Sequence, residues 1–144
     1  MVINYNQYLQ FQINCLFLQE LFLAKISNVY NKLTYTEVSE YLSNRQLNFD
    51  YFISTDVFVY VGKLSSIFHL IKTRNMRSGK LVFSTEHNYN DVYQLEKSGR
   101  YYHSKSYIEG LCSQFGYEMI HFSKVKLRKE KGNFLCGAIY ILGF

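Results

Sequence analysis

Apolar residues recur at helical spacing along the first segment, at Leu9, Ile13, Leu16, Phe17, Leu21 and Ala24, which predicts a helix over residues 5–30. Leu33 to Val38 is a short strand candidate, and Ser39 stands where it could cap a brief helix through Leu42. Phe49 to Thr55 is a largely apolar run, the kind buried on both faces of a parallel sheet. Leu64, Ile67, Phe68, Ile71 and Met76 then return to helical spacing; Arg74 and Arg77 fall near the end of this helix, and Gly79 is its candidate C-cap. Lys80 to Ser84 reads as the next strand. A loop carrying Asn88, Asn90, Asp91 and Gly99 leads into a helix over about 104–115, closed by Gly116. Tyr117 to Val125 and Phe134 to Leu142 are strands joined through residues 129–133, which predicts an antiparallel hairpin. Strand–helix–strand alternation followed by a hairpin indicates an α/β sheet with an antiparallel edge.

Composition adds bounds rather than identity. The 144 residues suit one domain, and 48% hydrophobic with 19% charged residues predicts a packed core. No proline is present, so turns must rely on Gly, Asn, Asp and Ser. A net charge of +5 is too small and too dispersed to identify a nucleic-acid binder. Cys15, Cys112 and Cys136 are odd in number and lack Cys-x-x-Cys spacing, so neither a disulfide framework nor a zinc site is expected. Reduced thiols in a cytoplasmic protein are the simplest reading. The apolar run from Ile13 to Ala24 is interrupted by Gln19-Glu20 and falls short of a bilayer span. No basic region or small-residue cleavage site goes with it, so neither a signal peptide nor a membrane partner is expected.

The run Phe49-Asp50-Tyr51-Phe52-Ile53-Ser54-Thr55-Asp56-Val57-Phe58-Val59-Tyr60-Val61-Gly62 resembles the fourth-strand motif of class I S-adenosylmethionine (SAM)-dependent methyltransferases, in the version often fused to tetratricopeptide repeats. Phe83-Ser84-Thr85-Glu86, then Ser98-Gly99-Arg100-Tyr101-Tyr102-His103-Ser104 with Tyr107, are similar to that family's fifth strand and following loop. Leu127-Arg128-Lys129-Glu130-Lys131-Gly132 and Gly137 resemble its terminal hairpin. Ala24-Lys25 and Val29-Tyr30-Asn31-Lys32-Leu33 resemble the approach to its third strand. The resemblance covers residues 21–144, read as a truncated methyltransferase-like domain. Residues 1–20 form an unmatched, helical N-terminal segment.

The resemblance implies a sheet ordered 3-2-1-4-5-7-6, with SAM over the carboxyl ends of strands 1, 2 and 4. A Gly-x-Gly-x-Gly loop would let the backbone approach the cofactor where a Cβ would clash. No Gly-x-Gly pair exists among the eight glycines, and no second strand ending in an acid is recognisable. The expected architecture is therefore α/β: a partial Rossmann-like methyltransferase sheet made of strands 3–7, a C-terminal antiparallel hairpin and an N-terminal helix. Strand 3 is expected to lack a neighbour and strand 4 to expose an apolar edge.

The resemblance also implies site residues. Glu37 would take the adenine amino group and Val38 would supply a neighbouring backbone donor; Ser54 and Thr55 would face the methionine moiety. Asp56 either orients a nucleophile or caps a turn. His87 is a candidate base, since an imidazole titrates near neutrality, or an exposed loop side chain. Glu86, Arg100, Tyr101 and His103 are substrate-binding candidates; Arg100 either reads an anionic group or stitches its loop to the sheet. Lys124, Lys126, Arg128, Lys129 and Lys131 read as the solvated face of a hairpin strand. The four histidines show no metal-ligand spacing. Two histories fit: a fragment or remnant that is inactive alone, and a split subunit completed by another chain carrying strands 1 and 2. A small basic nucleic-acid-binding module is the reading from another class. The methylated substrate is not legible.

Overall fold

A computed structural model describes residues 2–4, 12–14, 32–34, 36–43, 46–89, 92–130 and 132–144. Nine strands and three helices occur among them: β1 (Val2–Asn4), β2 (Gln12–Asn14), β3 (Lys32–Thr34), α1 (Val38–Ser43), β4 (Tyr51–Ser54), α2 (Ser65–Arg74), β5 (Lys80–Asn88), β6 (Tyr93–Leu95), β7 (Tyr101–Ser104), α3 (Lys105–Phe115), β8 (Glu118–Glu130) and β9 (Asn133–Gly143). A 3-10 turn at Phe58–Tyr60 follows β4.

β5 is the spine of the sheet. β4 pairs with it in parallel over Lys80–Phe83, while β9 runs antiparallel along its other edge from Lys80 to Glu86. β8 continues the sheet beyond β9 as the expected hairpin partner. Glu86 registers with Gly137 of β9 on one side and Tyr102 of β7 on the other. β7 therefore lies on the β4 side of β5, just past the carboxyl end of β4. The β6–β7 hairpin, which falls in the predicted loop, thus sits over the strand ends.

Both helices against the sheet are amphipathic. α2 buries Ile67, Phe68 and Ile71, and α3 buries Ile108, Leu111 and Cys112. Between them and the strands, the Phe83 ring stacks on Tyr140 with centroids 5.0 Å apart and packs against Phe58 at 5.1 Å and Phe68 at 5.9 Å. Removing a Phe side chain of this kind from water stabilises the fold by about 2–3 kcal/mol. Ser104 caps α3, its Oγ accepting the Tyr107 N–H at 3.0 Å, and Gly116 ends the helix at φ +69°.

Several expectations change. Residues 12–14 form a strand rather than part of a helix; the rest of the predicted helix lies outside the described residues. β3 does have a neighbour, since β2 pairs with it in parallel, and β4 is covered by β1, which runs antiparallel to it. Val38 opens a helix rather than ending a strand, and Glu37 rather than Ser39 caps it: Oε2 of Glu37 accepts the Glu40 N–H at 3.0 Å. Asn75, not Gly79, ends α2. Gly79 instead meets the Asp50 and Phe49 carbonyls, where a Cβ would lie 3.0 Å from each. On β8, Lys124, Lys126 and Lys129 face solvent and alternate with half-buried Val125 and Leu127. No described helix is long and apolar enough to cross a membrane. No group of metal-ligating side chains occurs among the described residues.

Candidate functional site

The carboxyl ends of β4 and β5, with the hairpin laid beside them, gather most of the residues singled out in the sequence. β4 stops at Ser54, and the chain turns through Asp56, whose φ of +54° is a left-handed conformation that Asp tolerates better than most residues. The Asp56 N–H donates to Ser84 Oγ at 3.2 Å, and this contact helps hold the turn. Arg100 then reaches over it from the start of β7. One guanidinium nitrogen lies 3.2 Å from Asp56 Oδ1 and 3.4 Å from Glu86 Oε1, and the other donates to the Tyr60 hydroxyl at 2.7 Å. Glu86 is 1% exposed, so its ion pair with Arg100 is shielded, whereas Asp56 stays at the surface.

The same loop is held from above by β7 and α3. Tyr101 covers Gly62 so closely that a Cβ there would lie 2.6 Å from its ring. His103, fully buried, places Nε2 3.0 Å from both the Val61 and Gly62 carbonyls. Both neighbours are acceptors, so Nε2 carries the proton. Burial lowers the His103 pKa, and the two carbonyls oppose that shift in part. The Leu64 N–H donates to the Tyr107 hydroxyl at 2.9 Å, and burial raises the pKa of that phenol.

The remaining candidates are placed differently. Glu37 caps α1, and Val38 is buried in the core. Ser54 is fully buried, with a hydroxyl that has no hydrogen-bond partner among the described residues; Thr55 is exposed. His87 follows Glu86 on β5, so its side chain leaves the opposite face of the strand. It contacts Tyr89 and Phe122 and is only 5% exposed. Burial, then the Lys124 charge, lower its pKa; a backbone hydrogen bond involving His103 raises it in part. Asp56, Glu86 and Arg100 are thus brought together, Tyr101 and His103 clasp the adjoining loop, and His87 stands apart. Sequence reasoning missed Tyr60, Ser84 and Tyr107 as partners. Tyr60 was visible in the Asp-Val-x-x-Tyr-x-Gly run, but nothing local links it to an arginine forty residues later.

No family model matches the sequence, and no curated protein matches it. Solved structures do. A SAM-dependent methyltransferase from Methanosarcina mazei superposes with a TM-score of 0.67 at 12% identity, over 92% of this chain and 80% of that one. One from Leishmania major gives 0.63 at 11%, over 91% and 54%. The N-methyltransferase NodS from Bradyrhizobium japonicum, in complex with S-adenosyl-L-homocysteine, gives 0.63 at 8%, over 93% and 66%. The fold is that of the SAM-dependent methyltransferases. The chain spans about half the length of the Leishmania protein.

Within this methyltransferase fold, the described residues do not make a close cofactor cradle. The sequence has no Gly-x-Gly pair to bring backbone near a ligand without a clashing Cβ. β1 occupies the position beside β4, but it is antiparallel to it. Its carboxyl end therefore points to the amino end of β4, away from Ser54. The Glu37 carboxylate is already engaged by the first turn of α1.

Proposed function

We propose that this chain is a methyltransferase-like protein, a fragment or remnant of a SAM-dependent enzyme, which does not hold SAM tightly by itself. The observation that carries this reading is the antiparallel β1 in a fold otherwise shared with SAM-dependent methyltransferases. Such enzymes bind the cofactor at the carboxyl ends of parallel strands. Here the strand next to β4 is reversed, and the sequence offers no glycine loop. The ancestral enzyme belongs, on the motif resemblance, to the kind often fused to tetratricopeptide repeats, and a cytoplasmic setting fits the free thiols of Cys112 and Cys136. The cofactor, where one binds, is SAM.

Isothermal titration of SAM into the purified chain tests this reading. No saturable heat at micromolar protein and ligand is the expected result. Micromolar binding would make the chain a working cofactor protein and end the proposal. A second reading, a split subunit completed by a chain carrying parallel strands 1 and 2, is favoured by the short cover on β4: β1 contributes three residues of pairing. Co-expression with such a chain should then restore SAM binding that neither partner shows alone. Nucleic acid is not expected as a partner, since the hairpin lysines alternate along a solvated strand instead of forming a built site.

A further inference from the structure

A cavity opens at the end of β5 and the start of α3, apart from the Arg100 cluster. Its volume is about 300 Å³, within the small-molecule range. His87 and Asn88 of β5, Ser104, Lys105 and Ser106 at the head of α3, and Lys124 of β8 line it.

Three observations converge on this cavity. First, it takes in the N-terminus of an eleven-residue helix, where leading backbone N–H groups lack intrahelical partners and the helix dipole is positive. The first turn of α3 carries no acidic residue. Second, the charge balance is positive. Lys105 pairs with Glu109, which also lines the cavity, but Lys124 rests 4.5 Å above the Tyr89 ring and has no carboxylate partner among the described residues. Third, two of the residues that line the cavity carry buried polar atoms without hydrogen-bond partners among the described residues. His87 is 5% exposed, yet its Nδ1 has no hydrogen-bond partner among the described residues, and neither amide atom of the shielded Asn88 side chain has one. Burying polar atoms in this way is costly unless something satisfies them.

We infer that this cavity binds the phosphate group of a small-molecule ligand, with the head of α3 and Lys124 supplying charge and His87 and Asn88 supplying hydrogen-bond donors. A phosphate offers several acceptor oxygens in a compact volume, which matches donors arriving from two strands and a helix N-terminus. Nothing in this arrangement requires SAM, so the site stands whether or not the cofactor reading holds.

The test is a titration of the intact, isotope-labelled chain with inorganic phosphate, followed by NMR at constant ionic strength. The expected result is saturable shifts at the Lys105 and Ser106 amides and at the His87 ring. Lys124→Gln should weaken the apparent affinity by about fivefold, the effect of one charge–phosphate contact. Lys97→Gln, in the β6–β7 turn, should leave it unchanged. Linear, unsaturated shifts spread over the surface lysines would overturn the assignment, as would a Lys124→Gln titration that superposes on the parent. Acetate acting on the same amides with equal affinity would overturn the preference for phosphate.

Discussion

Two polar regions share the carboxyl end of the sheet, and they differ in how far their side chains are tied to one another. Around Arg100, distant side chains supply partners: the guanidinium reaches Asp56, Glu86 and Tyr60, and His103 Nε2 is shared by two carbonyls. Around His87, an imidazole nitrogen and a whole carboxamide are buried without partners among the described residues. The first pattern fixes a loop, although His103 Nδ1 and the nearby Ser54 hydroxyl are also buried without partners among the described residues. The second is a standing penalty that binding can remove. The contrast separates residues that make the wall from residues that face a ligand, although both sets come from the same sequence motifs.

Arg100 should give the largest effect of breaking this division. Arg100→Met keeps the aliphatic stem but leaves the Glu86 carboxylate, 1% exposed, without its guanidinium. Losing one member of a shielded ion pair costs about 3 kcal/mol, because the other charge remains buried. Urea denaturation should show that loss, and the double variant Arg100→Met with Glu86→Gln should recover part of it. A near-neutral Arg100→Met would mean that the guanidinium is not a structural clamp and would return it to the substrate-binding candidates.

The difference between the two regions also explains what could be read in the sequence. Local signals were strong where one element determines its own form. The spacing of Ile67, Phe68 and Ile71, and Ser104 and Gly116 at the two ends of α3, gave helices within a residue or two of their observed limits. The candidate strands Tyr117 to Val125 and Phe134 to Leu142, joined through residues 129–133, gave the hairpin. Pairing between distant segments left no local mark. β7 and β6 read as loop, because Asn88, Asn90, Asp91 and Gly99 are turn formers and the strands are three or four residues long. Their stability comes from β5 and from Tyr101 against Gly62. Likewise, nothing near Lys32–Thr34 announced β2 as its neighbour, and the helical spacing around Ile13 yielded to that pairing. Asp56, Arg100 and His103 could be nominated, but their mutual contacts depend on β7 docking beside β4. The cavity at His87 was half legible: the histidine stood out, while its position at the head of α3 required the register between β5 and β7.

His103 sharpens the comparison through pH. Burial lowers its folded-state pKa below the unfolded value near 6.5, with the sign that follows. Above pH 6.5 neither state is protonated and stability is full. As pH falls below 6.5 the unfolded chain takes up a proton that the folded one refuses, so stability drops by at most about 1.4 kcal/mol per pH unit for this group, until the folded imidazole itself titrates. His87, shifted the same way, adds to the slope. Urea midpoints between pH 7.5 and 5.5 should fall for the parent, and His103→Gln, which keeps a donor toward Val61 and Gly62, should flatten the curve. An unchanged slope in that variant would assign the pH sensitivity elsewhere.

The smallest effect concerns His87, and its sign is the informative part. A side chain selected for packing should destabilise the protein when replaced, whereas one that keeps an unsatisfied nitrogen for a ligand should not. His87→Leu retains an apolar body against Phe122 and Tyr89 while removing the buried Nδ1. Relief of an unpaired buried polar atom is worth about 1 kcal/mol, enough to offset the change in side-chain shape and leave the variant as stable as the parent or slightly more so. His103→Leu, made in parallel, also removes an unpaired Nδ1 but should be destabilised, because the two carbonyls on Val61 and Gly62 would lose their donor. If both variants lost stability equally in thermal and urea unfolding, the two imidazoles would be serving the same structural purpose. The distinction between a closed wall and an open cavity would then disappear.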